Sequence, residues 1–77
     1  MTEAEALAHL TREWRSTMAI ARDVWESEGR RGDPHMVRQR VAHSLAMLEA
    51  RGLAELAGPE DGLPRGRGSP KYWRLAQ

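Results

Sequence analysis

The chain has 77 residues, a formal net charge of +1 and no cysteine. This length allows one domain with a small core, and without cysteine there is no disulfide or thiolate metal site. No apolar run approaches the length of a membrane span and the first residues are acidic, so a cytoplasmic protein without membrane contact is expected. The three tryptophans, Trp14, Trp25 and Trp73, are expected to anchor the core.

Basic and acidic segments alternate along the chain. Residues 30–43 contain four basic and one acidic side chain, and residues 64–77 contain four basic and none acidic. Residues 1–29 and 44–63 are acidic. If the fold brings the two basic segments together, the protein presents one cationic face, which a phosphate backbone requires.

Residues 3–27 form either one helix or two. Thr2 and Glu5 make a capping box, which predicts a helix start at about residue 3. One long helix would leave Ile20 and Val24 away from its apolar stripe. Ser16 and Thr17 are good N-cap residues for a second helix that buries both Ile20 and Val24. We therefore favour two helices, at 3–13 and 17–27.

The segment from Ser27 to Asp33 has two glycines and no apolar residue, which predicts a loop between the second helix and the next one. Two helices joined in this way form a helix-turn-helix. Arg30 and Arg31 lie next to the start of the third helix, where they can hold a phosphate. The alternative is that they only keep the loop soluble.

The third helix, 34–51, has signals at both ends. Asp33 can cap it and Pro34 suits its first position. Gly52 can adopt the left-handed conformation that closes a helix, with Leu48 and Leu53 in contact as in a Schellman motif.

The two faces of this helix differ. Four apolar side chains fall within about 80° of arc and must pack on the rest of the domain; they are Val37, Val41, Leu45 and Leu48. Opposite this stripe, the first half of the helix carries long and mostly polar side chains, His35, Met36, Gln39, Arg40 and His43. The second half of this outer face carries Ala46, Met47 and Ala50. This distribution is expected when only the front of a helix enters a DNA groove. The alternative is an ordinary solvated face.

Two short strands are predicted after the third helix, at 53–57 and 71–76, joined by a long loop at 58–70. Arg65 and Arg67 stand among glycines in that loop. A solvated, disordered loop without a binding role is the alternative.

This order of elements resembles a winged helix-turn-helix domain, as found in small bacterial and phage transcriptional regulators. The resemblance covers nearly the whole chain. Its most specific parts are Val41-x3-Leu45-x2-Leu48-x3-Gly52-Leu53, which is similar to a recognition helix entering the first wing strand, and Gly66-Arg67-Gly68 followed by Tyr72-Trp73-Arg74-Leu75, which is similar to a wing tip and its returning strand. The implied fold is mainly α with a small β-hairpin (α+β), in which three helices precede a two-stranded wing in a single domain, 1–77.

The resemblance implies a transcriptional regulator that binds double-stranded DNA. The helix at 34–51 would enter the major groove, and the basic wing at 65–71 would contact the backbone or the minor groove. The residues expected to touch DNA are Arg30, Arg31, His35, Arg38, Gln39, Arg40, His43, Arg65, Arg67 and Lys71. The alternative is a winged helix that docks on RNA polymerase or on another regulator.

Neither an enzyme nor a metal or cofactor site is expected. His35 and His43 are about 12 Å apart along the helix, too far to share a metal ion. Gly66-x-Gly68 lacks the context of a nucleotide-binding loop. A homodimer is expected, because two apolar stripes in the N-terminal third exceed what one recognition helix covers.

Overall fold

The computed structural model describes residues 3–63 and 70–76. Within these ranges there are three α-helices, α1 (Glu3–Ala8), α2 (Thr17–Ser27) and α3 (Pro34–Ala50), and three strands, β1 (Arg15–Ser16), β2 (Ala54–Leu56) and β3 (Tyr72–Leu75), with a short 3₁₀ helix at Pro59–Asp61. The predicted α+β class is confirmed. Among the described residues, no helix is both long and apolar enough to cross a membrane.

The strands form an antiparallel sheet in the order β1-β3-β2. The pairing of β2 with β3 confirms the predicted hairpin, with both strands slightly shorter than predicted. The prediction of only two strands is wrong, because β1 pairs with the other edge of β3. A strand of two residues is too short to show the alternation by which strands are recognised in a sequence.

The first helix ends at Ala8, so the prediction that it extends to residue 13 is wrong. The backbone N–H groups of His9 and Leu10 donate to carbonyls three residues back, at 3.1 Å, which tightens the last turn. The chain then leaves the helix axis, and the carbonyl of Thr11 accepts a 2.7 Å hydrogen bond from the N–H of Leu75. A residue that local periodicity assigned to the helix is therefore paired with the sheet instead.

The alternative of two helices is confirmed. The side chain of Ser16 caps α2 by accepting a hydrogen bond of 3.1 Å from the N–H of Ala19. Ile20 and Val24 are buried on this helix, as the two-helix prediction required. Thr2, the first residue of the predicted capping box, lies outside the described residues.

Both predicted ends of α3 are present. The carboxylate of Asp33 accepts a 2.9 Å hydrogen bond from the N–H of His35, and Pro34 occupies the first turn. At the other end Gly52 has φ of 77°. The N–H of Leu53 donates to the carbonyl of Leu48 at 2.9 Å, as in a Schellman motif.

The core lies between the helices and one face of the sheet. The four predicted apolar residues of α3 are all at most 2% exposed. Trp73 is 2% exposed and belongs to this core, while Trp25 is partly buried and packs against it. The expectation for Trp14 is wrong, because this residue precedes β1 and its half-buried ring packs under the guanidinium of Arg74, with 4.2 Å between the carbon and the ring centre.

Buried residues of α1 and α2 belong to the same cluster as those of α3. Most of both N-terminal stripes is therefore covered within one chain, although Met18 is 60% exposed. The homodimer that these stripes led us to expect stays a prediction.

Candidate nucleic-acid interface

The front half of α3 carries a row of exposed hydrogen-bonding side chains. His35, Gln39, Arg40 and His43 are all exposed, while Val37 and Val41 on the other side of the helix are buried. The buried stripe fixes the rotation of α3 on the domain. The polar side chains consequently point outward together, as the 100° repeat predicted.

Gln39 and His35 are held together on this face. The Nε2 atoms of the two side chains are 3.2 Å apart, one helical turn along α3. An amide nitrogen only donates, so the imidazole Nε2 of His35 is the acceptor. The amide oxygen of Gln39 and its second hydrogen stay available, which are the two groups that pair with the major-groove edge of adenine.

Arg40 is paired within the protein. Its guanidinium lies 3.2 Å from the carboxylate of Glu28, just after α2. The two side chains are 44% and 34% exposed, and exposed pairs of this kind contribute about 0 to 1 kcal/mol. Arg40 can therefore exchange Glu28 for a base or a phosphate at small cost.

The two loop arginines differ. Arg30 has φ of 59°, and its guanidinium lies 3.6 Å from the carboxylate of Glu26 and 5.9 Å from the ring centre of Trp25. Arg31 is exposed and has no ion pair with any residue in 3–63 or 70–76. Arg31 is thus the freer of the two to reach an anion.

Arg38 lies on the flank of α3 that faces α2, and it shares a groove there with Arg22. Sequence reasoning missed Arg22, because α2 was considered only for its buried side. Its position one residue after the buried Ala21, on the edge of the apolar face, was the available signal.

The base of the predicted wing is tied to α2. The exposed Lys71 precedes β3, and its carbonyl accepts a hydrogen bond of 3.0 Å from the N–H of Thr17. Arg65 and Arg67 lie outside the described residues.

The carboxylates of the acidic segment 44–63 lie together near β2. A depression of about 430 Å³ near β2 is lined by four carboxylate side chains, Glu49, Glu55, Glu60 and Asp61. None of its lining residues comes from 30–43. These four carboxylates thus do not line the front of α3, where Glu28 and Asp33 are the acidic residues next to the predicted interface.

No protein-family model matches the chain, and comparisons with characterised proteins and with solved structures found no match.

Proposed function

We propose that this protein is a winged helix-turn-helix regulator that binds double-stranded DNA. The front half of α3 enters the major groove, and the wing contacts the backbone or the minor groove. One observation carries the proposal: four exposed hydrogen-bonding side chains line the front of a helix whose opposite side is fixed in the core.

The chemistry of this face suits a base edge. The major groove admits an α-helix, and there an amide side chain pairs with adenine and a guanidinium with guanine. Gln39 and Arg40 are adjacent and exposed, and they provide one of each. The second half of the outer face carries Ala46, Met47 and Ala50, none of which can hydrogen-bond to a base through its side chain. This suits a helix that enters the groove by its front only.

The order of elements adds support. The helix-turn-helix is followed by a hairpin whose second strand, β3, also pairs with β1. Because the N–H of Thr17 donates a hydrogen bond to the carbonyl of Lys71, the base of the wing lies beside the start of α2. This arrangement supports a backbone contact by the wing made together with a base contact by α3.

The test starts with selection of bound fragments from a random duplex library. Labelled duplexes carrying the selected sequence and a shuffled sequence are then titrated with the protein by fluorescence anisotropy at several salt concentrations. We expect tighter binding of the selected duplex, and an affinity that falls with salt by a slope of about 0.9 for each phosphate neutralised. Failure to bind any duplex at low salt and micromolar protein would refute the proposal.

A second candidate, a protein-interaction module docking on RNA polymerase or another regulator, is favoured by a separate observation. Met36 and Met47 on α3 are 55% and 39% exposed, and methionine is enriched at protein interfaces. Binding of the purified polymerase core enzyme, lost in Met36→Glu and unaccompanied by duplex binding, would support this candidate over the first.

A further inference from the structure

A groove of about 320 Å³ lies between α2 and the start of α3. The α2 side contributes Met18, Ala21, Arg22 and Trp25, and the α3 side contributes Pro34, His35 and Arg38. No carboxylate is among these residues. The groove therefore combines two guanidinium groups with an apolar wall.

The two guanidinium groups of this groove have no ion-pair partner among the residues that the structure describes. Five other arginines form ion pairs, namely Arg15, Arg30, Arg40, Arg51 and Arg74. Arg22 and Arg38 are exposed and form none with the residues in 3–63 and 70–76. Two free guanidiniums on facing helices favour an anionic occupant that both can contact.

The apolar wall narrows the kind of anion. Met18 is 60% exposed, and the partly buried Trp25 lies beside it in the groove. An inorganic ion would contact only the guanidinium groups and would leave the apolar side chains of the wall in contact with water. A sugar-phosphate unit offers a charged group to the guanidiniums and a carbon-rich face to Met18 and Trp25.

The groove is continuous with the proposed reading face. His35 lines the groove and is also bonded to Gln39, at 3.2 Å. The phosphate backbones border the major groove, so a strand must pass along the flank of a helix that enters it. Arg38 and Arg22 lie on such a flank.

We propose that this groove is a backbone clamp, in which Arg22 and Arg38 hold one sugar-phosphate unit of the DNA strand next to the bases read by α3. The clamp rests on the proposed DNA-binding function and adds a helix, α2, to the interface. It positions α3 in the major groove and carries no sequence preference of its own.

The first experiment measures duplex affinity and its salt dependence for Arg22→Ala and Arg38→Ala. Each variant should bind every duplex about tenfold more weakly at low salt, since a charge-assisted hydrogen bond is lost. Each should also lower the salt slope by about 0.9. Arg22→Lys should retain the wild-type slope, because it keeps the charge.

Arg12→Ala is the matched control. Arg12 is exposed and forms no ion pair with the described residues, so the variant removes the same charge. Arg12 follows Thr11, whose carbonyl accepts a hydrogen bond from the N–H of Leu75. Arg12 therefore lies near the end of β3 that is remote from Lys71. Its affinity and salt slope should stay close to those of the wild type.

The second experiment locates the clamped phosphate. Single phosphates of the selected duplex are replaced by neutral methylphosphonates, one position at a time. At the clamped position the replacement should weaken the wild type about tenfold and the Arg22→Ala/Arg38→Ala double variant by less than about twofold. A substitution that only perturbed folding would weaken binding without this dependence on position.

The outcomes separate the two proposals. If the wild type binds no duplex, the proposed function fails. If the wild type binds but Arg22→Ala and Arg38→Ala behave like Arg12→Ala, or if no methylphosphonate position depends on them, the clamp alone is refuted. A change in base preference at an unchanged salt slope would also refute it, because it would indicate base contact.

Discussion

The indole Nε1 of Trp73 donates a 2.8 Å hydrogen bond to the Oγ1 of Thr17. Trp73 lies in β3, the strand that returns from the predicted wing, and Thr17 begins α2. The ring of Trp73 is only 2% exposed, so its N–H has little access to water. Together with the bond from the Thr17 N–H to the Lys71 carbonyl, this contact joins the sheet to the helix-turn-helix.

Replacing Thr17 with valine should destabilise the fold by about 1 to 3 kcal/mol, because it leaves the indole N–H without an acceptor in a buried place. Urea denaturation followed by tryptophan fluorescence measures this. Thr17→Ser keeps the hydroxyl, so its free energy of unfolding should stay close to that of the wild type. Equal losses in the two variants would show that the hydrogen bond is not the cause.

Gln39→Ala and Arg40→Ala should each relax sequence preference at one base position, with a loss of about 1 to 3 kcal/mol there, because each removes a two-point contact to a base edge. Anisotropy titrations with duplexes mutated at single positions measure the preference. Unchanged selectivity in both variants would contradict the assignment of these residues to base reading.

Glu28→Gln should strengthen duplex binding by about twofold to fivefold, because it frees Arg40 from a pair worth about 0 to 1 kcal/mol and removes a negative charge near the interface. Glu60→Gln removes the same charge in the acidic depression and should have little effect. In an Arg40→Ala background the gain from Glu28→Gln should largely disappear. A gain that persists there would mean that Glu28 acts by general repulsion alone.

Changing Arg65 and Arg67 together to alanine should weaken binding to all sequences alike and lower the salt slope by about 2, since a glycine-rich tip is poorly suited to hold a rigid contact to one base. The measurement is the same salt titration with selected and shuffled duplexes. Loss of sequence preference at an unchanged slope would reverse the roles of wing and helix.

A homodimer stays a prediction, with most of the N-terminal apolar stripes now covered within one chain. It depends on the argument that paired half-sites about one helical turn apart suit a symmetric dimer. Sedimentation at tens of micromolar, with and without the selected duplex, tests it. A monomer in both conditions would exclude it at that concentration.

Local signals in the sequence were sufficient for the helix at the centre of this interface. The cap at Asp33, the Schellman motif at Gly52 and the apolar stripe from Val37 to Leu48 all depend on residues within a few positions of one another. Such interactions are decided by backbone hydrogen bonds and by the helical repeat. The bounds of α3 and its exposed polar face could therefore be predicted.

Only the tertiary structure decided the features that depend on distant pairs. β1 is a strand because it pairs with β3, and that pairing ends α1 at Ala8. Glu28 pairs with Arg40, twelve residues away, and Arg22 and Arg38 line the same groove. Local periodicity does not encode these long-range arrangements, because they depend on how α2 packs on α3 and on how the strands of the sheet pair.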